Sequence, residues 1–169
     1  MSAESKTDAT KDANLPEQSW NEEALKKYVE GEITLADLQG VDGESQTKLA
    51  EMGYRLLNTG KLADARAIFE GLVALNPKEA YFLLAAGSVA QRQERWEDAE
   101  HWYSLALERD QNNAVAHANR GEVRVMLERM EDAVADLVRA LELDVDAKET
   151  STGRARGLLL EINRQLSQG

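Results

Sequence analysis

The chain has 169 residues, of which 43% are apolar, so it can bury a core and is not disordered throughout its length. Its 31 acidic and 20 basic residues give a net charge of −11, which argues against nucleic acid or an anionic membrane as the main partner, because both need a basic patch. There is no cysteine, no apolar run near the roughly 18 residues of a membrane span and no signal-peptide pattern, so we expect a cytoplasmic protein without stable membrane insertion.

Helix-forming residues dominate the composition. Ala, Leu, Glu and Arg are frequent, only two prolines occur, and no segment alternates in the β-branched, aromatic manner of a strand. We therefore expect an all-α fold. Residues 1–17 are small, polar and charged, which predicts a disordered N-terminal tail.

Residues 18–45 form the next segment, in which we expect two short helices. A capping box that begins at Ser19 predicts the start of the first helix, near 20–30, and Gly31 predicts its end. Four apolar residues of this helix lie on one face. They are Trp20, Leu25, Tyr28 and Val29.

The second short helix is marked at both ends. Thr34 and Asp37 form a cap pair at its start, and Gly40 ends it. The stretch 40–45 then predicts a turn into the main body of the chain.

From about residue 46 the sequence repeats itself with a period of 34. Gly53, Gly87 and Gly121 share this spacing. Three other columns recur on the same interval: Ala65, Ala99 and Ala133; Phe69, Tyr103 and Leu137; and Leu72, Ala106 and Ala140. Glycine costs a helix about 1 kcal/mol relative to alanine, so its recurrence indicates a close approach of two helices.

This pattern resembles the tetratricopeptide repeat (TPR), in which two antiparallel helices form each unit and small residues stand where the paired helices touch. The resemblance implies a TPR-type α-solenoid of three helix pairs, with N-terminal helices and a C-terminal capping helix. The repeat region spans 46–145, in units of approximately 46–79, 80–113 and 114–147, and the capping helix lies within 148–169. The expected helix pairs are 46–59 with 62–75, 80–93 with 96–109, and 114–127 with 130–143.

The last helix, near 148–167, has the composition of a cap for the open end of a solenoid. Its apolar side is formed by Ala155, Leu158, Leu159, Ile162 and Leu166. Arg154, Glu161, Arg164 and Gln165 lie on the other side, which we expect to face solvent.

No constellation of catalytic or metal-binding residues stands out. The two histidines, His101 and His117, are sixteen residues apart without a zinc-binding spacing, and no phosphate-binding glycine motif occurs. We therefore expect no enzymatic activity, no metal and no cofactor. His101 is expected at or near the surface, and His117 is a weaker candidate for a groove residue.

By analogy with TPR proteins, the first helices of the pairs line a concave face that binds a peptide. This resemblance assigns twelve residues to the groove: Ala50, Tyr54, Leu57, Tyr81, Leu84, Ala85, Ser88, Gln91, Ala118, Asn119, Glu122 and Val125. Their mixture of apolar and hydrogen-bonding groups suits an extended or helical peptide. The alternative is that some of them, especially Leu57 and Leu84, belong to the core.

Some TPR co-chaperones grip the C-terminal carboxylate of heat-shock chaperones with Lys and Asn on the first helices. Only Asn119 and Arg92 are compatible with such a clamp here, and Glu122 would repel a carboxylate. We therefore do not expect capture of a terminal carboxylate.

The arrangement as a whole is similar to the class II chaperones of type III secretion systems, the SycD/LcrH group. The similarity lies in Gly31–Leu38 ahead of the first unit, in Leu49–Tyr54 and in Trp96–Ala99. A departure is the run from Ala116 to Asn119, where the group carries an aromatic-proline-aromatic-histidine sequence. The resemblance implies a cytosolic chaperone that binds an apolar segment of a hydrophobic secreted translocator without ATP or metal. The alternative is a TPR scaffold or adaptor in another bacterial assembly for motility, pili or regulation.

Members of the chaperone group often self-associate through their N-terminal helices. The resemblance therefore implies that the apolar face of the first helix, with Trp20, Leu25, Tyr28 and Val29, contacts a second copy of the chain. The alternative role of this face is to pack against the first repeat.

Overall fold

The computed structural model describes residues 21–146 and 148–167, with the side chain of Leu166 excepted. The predicted tail 1–17, together with Ser19 and Trp20, lies outside the described residues. Within the described ranges the chain forms nine α-helices and no strand, which confirms the all-α prediction.

The helices pair along the chain as the repeat predicts. They are α1 (Glu22–Val29), α2 (Leu35–Gln39), α3 (Gly43–Asn58), α4 (Leu62–Leu75), α5 (Ala80–Arg92), α6 (Trp96–Arg109), α7 (Ala114–Met126), α8 (Met130–Leu143) and α9 (Thr150–Leu166). Hairpins form from α3 with α4, α5 with α6, and α7 with α8. Because α4 also packs on α5 and α6 on α7, successive hairpins stack into one solenoid.

The starts of the first and third helices differ from the predictions. Asn21 caps α1, since its Oδ1 atom accepts a hydrogen bond from the Ala24 amide at 2.7 Å, so the helix begins later than a cap at Ser19 would place it. Asp42 caps α3 in the same way, accepting from the Ser45 amide at 2.7 Å. An aspartate in this position satisfies an unpaired helix N–H, which moves the helix start into the predicted turn 40–45.

The second short helix has the predicted caps. The Thr34 side chain accepts from the Asp37 amide while the Asp37 carboxylate accepts from the Thr34 amide, and Gly40 closes the helix with a φ of 69°. Through α2 the N-terminal segment packs against α4, and Ala36 is fully buried. The segment therefore contacts the first repeat through α2, whereas α1 packs mainly against α2 and has no buried residue.

The recurring glycines have the predicted packing role. A Cβ atom built on each would overlap the bulky side chain on the partner helix of its own hairpin: 2.7 Å from Phe69 for Gly53, 2.6 Å from Tyr103 for Gly87 and 2.8 Å from Leu137 for Gly121. No real Cβ tolerates such distances, so the helix axes approach this closely only because glycine lacks a side chain. The alanines of the second helices, Ala65, Ala99 and Ala133, have no exposed surface.

The last helix continues the repeat register. Ala155 stands one period of 34 after Gly121 and is fully buried against Leu137 and Ala140, so α9 occupies the place of the first helix of a fourth unit. Its outer side is less polar than expected, because Leu160 is 68% exposed. On the apolar side, Ile162 borders an open hollow of about 600 Å³ beside α8. Among the described helices, α9 packs against α7 and α8.

The turns inside the hairpins share one backbone feature. Gly60, Glu94 and Glu128, again 34 residues apart, adopt left-handed φ angles of 78°, 58° and 59°. Of the three, only Gly60 is a glycine, the residue type that adopts this conformation without strain. Across the described ranges no helix is long and apolar enough to cross a membrane.

Candidate functional site

A groove crosses the first helices of the hairpins. Its central pocket, of about 340 Å³, takes residues from α3, α5, α7 and α9. The lining residues are Leu57, Ser88, Gln91, Arg92, Asn119, Glu122 and Arg154. Five of them belong to the predicted groove set, and the structure brings these five together; their role in binding stays a prediction.

A network of side-chain hydrogen bonds begins beneath this pocket. The hydroxyl of the fully buried Tyr103 donates to Gln91 Oε1 at 2.6 Å and lies 3.4 Å from Ser88 Oγ. Burial raises the pKa of the Tyr103 phenol above its usual range, so the hydroxyl stays protonated and available as a donor. Tyr103 therefore fixes the orientation of the Gln91 amide at the groove floor.

The hydrogen-bond network continues to the last helix, α9. The Gln91 Nε2 atom donates to Glu122 Oε2 at 3.2 Å, and Arg154 Nε donates to Glu122 Oε1 at 2.8 Å. The second nitrogen of the same guanidinium, Nη2, reaches Asn119 Oδ1 at 3.2 Å. Helices α5, α7 and α9 are thus tied together across the groove floor, with the Glu122 charge compensated by Arg154.

A second pocket, of about 450 Å³, lies at the first repeat. It is lined by Gly43, Gln46, Thr47, Ala50, Glu51, Asn76, Glu79, Tyr81 and Phe82. Asn76 Nδ2 donates to Gln46 Oε1 at 3.3 Å, which links the loop after α4 to α3. The pocket presents apolar surface beside several hydrogen-bonding groups, a combination that suits a peptide chain.

Aromatic rings cover the wall between α3 and α5. The Tyr54 ring lies edge-on to Phe69, with centroids 5.0 Å apart, and 5.6 Å from the Tyr81 ring. Burial, with a smaller effect of Tyr81, raises the pKa of the Tyr54 phenol above its usual range. Tyr81 is 47% exposed, so it offers the larger free aromatic surface. Val125, also in the predicted set, is half-buried near the end of α7.

Several predicted groove residues lie mainly beneath the surface. Ala85 and Ala118 have no exposed surface, and Ala50 and Leu57 are 2% and 5% exposed. Leu84 is half-buried and packs against the core of the second hairpin, which favours the alternative of a core role for this residue. These side chains shape the groove floor, and the half-buried and exposed residues offer the contact surface.

The N-terminal candidates for self-association are partly described. Tyr28 and Val29 are 40% and 81% exposed, and Leu25 is half-buried, whereas Trp20 lies outside the described residues. Self-association through this face stays a prediction.

His117 does not enter the groove. Its Nδ1 lies 2.9 Å from Asp136 Oδ1, on the side of α7 that faces α8. Arg120 and Arg124 also donate to Asp136, at 2.7 and 2.8 Å. Burial raises the pKa of the Asp136 carboxyl, but hydrogen bonds from Arg120 and His117 outweigh it and hold the pKa below its usual range. This cluster joins the third hairpin internally, and the described residues contain no group of three or more His, Cys, Asp or Glu side chains that could hold a metal ion.

Comparison with known proteins identifies the repeat. A family model described as tetratricopeptide repeat matches residues 51–114. The matched residues include the helices α4, α5 and α6. The chain is also 24% identical over 126 residues, 75% of each sequence, to the low calcium response locus protein H of Yersinia pestis.

Solved structures share most of this architecture. One chain of a T3SS complex from Aeromonas hydrophila is 26% identical, with a TM-score of 0.76 over 87% of this chain and 99% of that one. The type III secretion chaperone SycD of Yersinia enterocolitica, in complex with a peptide of the translocator YopD, is 21% identical, with a TM-score of 0.68 over 74% and 97%. The TPR-type solenoid and the resemblance to the class II secretion chaperones are thereby confirmed.

Proposed function

We propose that the chain is a peptide-binding chaperone for a type III secretion translocator, and that it holds an apolar segment of this client in the groove across its first helices. The observation that carries the proposal is the groove itself, where the exposed Tyr81 stands beside hydrogen-bonding groups on a TPR scaffold. The fold of SycD, which is known in complex with a translocator peptide, supports the same use of this surface.

Binding of this kind needs shape and hydrogen bonds only. Apolar side chains of the client would cover aromatic surface, and polar groups such as Gln91 would satisfy its backbone. Covering a client's exposed apolar segment prevents its premature self-association, and a chain with a net charge of −11 keeps the complex dispersed. We accordingly propose a cytosolic protein with no enzymatic activity and no cofactor.

Self-association is a second part of the proposal. Among the described helices α1 makes its stronger contacts with α2 alone, so its exposed face, with Tyr28 and Val29, is the one proposed to contact a second copy of the chain. A concentration series in analytical ultracentrifugation, with Val29→Glu as the disruptive variant, tests this contact.

Co-expression with a hydrophobic translocator of the same organism tests the chaperone function. The translocator should be recovered in the soluble fraction with the wild-type chain and in inclusion bodies without it. Burying the exposed half of Tyr81 contributes roughly 2 kcal/mol, so Tyr81→Glu should lower recovery strongly. Val138→Glu is the matched control, because Val138 is 42% exposed on α8, outside the groove.

The alternative function is a TPR scaffold or adaptor in another bacterial assembly. Such a protein should bind a folded partner and leave the translocator insoluble. Recovery of the translocator that is equal for the wild type, Tyr81→Glu and Tyr54→Glu would remove the groove from the mechanism.

A further inference from the structure

The central pocket of the groove carries a charge opposite to that of the protein. The chain as a whole has a net charge of −11, yet this pocket is lined by two arginines, Arg92 and Arg154, and by one carboxylate, Glu122. The pocket therefore has a local excess of one positive charge, although the chain as a whole is acidic. A local field of this kind selects a ligand group of the opposite sign.

Glu122 does not cancel the attraction for an anion. Its side chain is 18% exposed and is paired with Arg154 Nε at 2.8 Å, with Gln91 Nε2 at 3.2 Å on its other oxygen. The expected repulsion of a carboxylate by Glu122 is therefore offset by a partner on α9, which the sequence did not reveal.

Donors remain available beside this pair. Arg154 uses its Nε and Nη2 atoms for Glu122 and Asn119, and its Nη1 has no partner in the described part of the chain. Arg92 is exposed in the last turn of α5 and makes no hydrogen bond or ion pair with any described residue. Two guanidinium groups thus present free N–H donors to the same space of about 340 Å³.

We propose that this pocket receives the carboxylate of an acidic side chain of the client, next to the client's apolar anchors, with Arg92 as the principal partner. The inference rests on the proposed function and names a feature of its client. Guanidinium groups bind carboxylates through paired, charge-assisted hydrogen bonds, and the neighbouring Leu57 and Ser88 leave room for the stem of the same side chain. Arg154 contributes its remaining donor and holds Glu122 away from the incoming charge.

The probe for the test is a fluorescein-labelled peptide that covers the translocator segment protected from protease in the co-purified complex. Fluorescence anisotropy compares this peptide with versions in which each acidic residue is changed to its amide, and with a C-terminally amidated version. Protein variants are Arg92→Gln and Arg92→Glu. Arg66→Gln is the matched control, because Arg66 lies on α4 and pairs with Glu70 outside the groove.

We expect Arg92→Gln to weaken binding about fivefold and Arg92→Glu more than about tenfold, with both losses shrinking as salt is raised. One acidic-to-amide change in the peptide should cause a similar loss, and Arg92→Gln should then add little. Arg66→Gln should bind as the wild type does.

Binding of the unmodified peptide to Arg92→Glu within twofold of the wild type would overturn the inference, as would a bound segment without an acidic residue. Loss on C-terminal amidation alone would assign the pocket to a chain terminus and overturn it too. Tyr81→Glu distinguishes failure of the proposed function from failure of this inference. If Tyr81→Glu and the Arg92 variants all bind the peptide as the wild type does, the proposed function fails. If Tyr81→Glu weakens binding and the Arg92 variants do not, the inference alone fails.

Discussion

Substitution of Gly87 by alanine tests the close approach on which the solenoid is built. The added Cβ would lie 2.6 Å from Cε1 and 2.7 Å from Cδ1 of Tyr103. This ring cannot retreat, because it is fully buried and its hydroxyl is held by Gln91 at 2.6 Å. The hairpin must therefore open by several tenths of an ångström or force the ring off its rotamer.

The expected magnitude is a difference of two effects. Overpacking of a well-packed core costs about 1–3 kcal/mol, while alanine gains about 1 kcal/mol of helix propensity over glycine. Gly87→Ala should therefore lower the free energy of unfolding by up to about 2 kcal/mol. Gly71→Ala is the matched control in α4, where a Cβ would meet nothing within 4 Å, and it should raise stability by up to about 1 kcal/mol.

Urea unfolding followed by far-UV circular dichroism measures both variants. A double-mutant cycle with Tyr103→Ala adds a second check, because removal of the ring should abolish most of the cost of Gly87→Ala. A Gly87→Ala protein as stable as Gly71→Ala would refute the close-packing argument. An undiminished cost in the Tyr103→Ala background would show that the alanine acts elsewhere.

Two further predictions concern stability. Glu94→Gly should raise the urea midpoint, because a left-handed φ of 58° costs a non-glycine residue about 1 kcal/mol; an unchanged or lower midpoint would contradict this. Asp136→Asn should be destabilising by about 3 kcal/mol at neutral pH, since it removes the negative charge that Arg120 and Arg124 share. Because the folded pKa of Asp136 is lowered, its contribution is complete above the ordinary value of 3.8 and disappears as the pH falls through the lowered one. A urea midpoint series should therefore fall less steeply in acid for Asp136→Asn, and parallel curves would disprove the role of this carboxylate.

The repeat was readable from the sequence because its cause is local and recurs. Gly53, Gly87 and Gly121 occupy the same register against Phe69, Tyr103 and Leu137, so one packing rule is expressed three times in the chain. A further column, with Gly60, Glu94 and Glu128 at left-handed φ, has the same period but is not predictable from the residue types, since glutamate does not indicate this conformation.

The composition of the groove floor was not readable in the same way. Arg154 follows Glu122 by 32 residues, and its side chain was expected to face solvent. Only the packing of α9 on α7 and α8 turns this guanidinium toward Glu122 and Asn119. The burial of Ala85 likewise depends on the preceding hairpin, because Ala85 lies in one cluster with Ala50, Leu57 and Phe69.

The amino-acid sequence by itself determined the helical class, the period of 34 and the small-against-large pairs within each hairpin, because these depend on helix propensity and on contacts between adjacent helices. The tertiary structure alone decided which charges meet across the groove, since the Glu122–Arg154 pair, the free donors of Arg92 and the exposure of Tyr81 arise from stacking between hairpins. Contacts within a hairpin follow from a short stretch of chain, whereas contacts between hairpins depend on the rotation of each unit on the next, which no single repeat encodes.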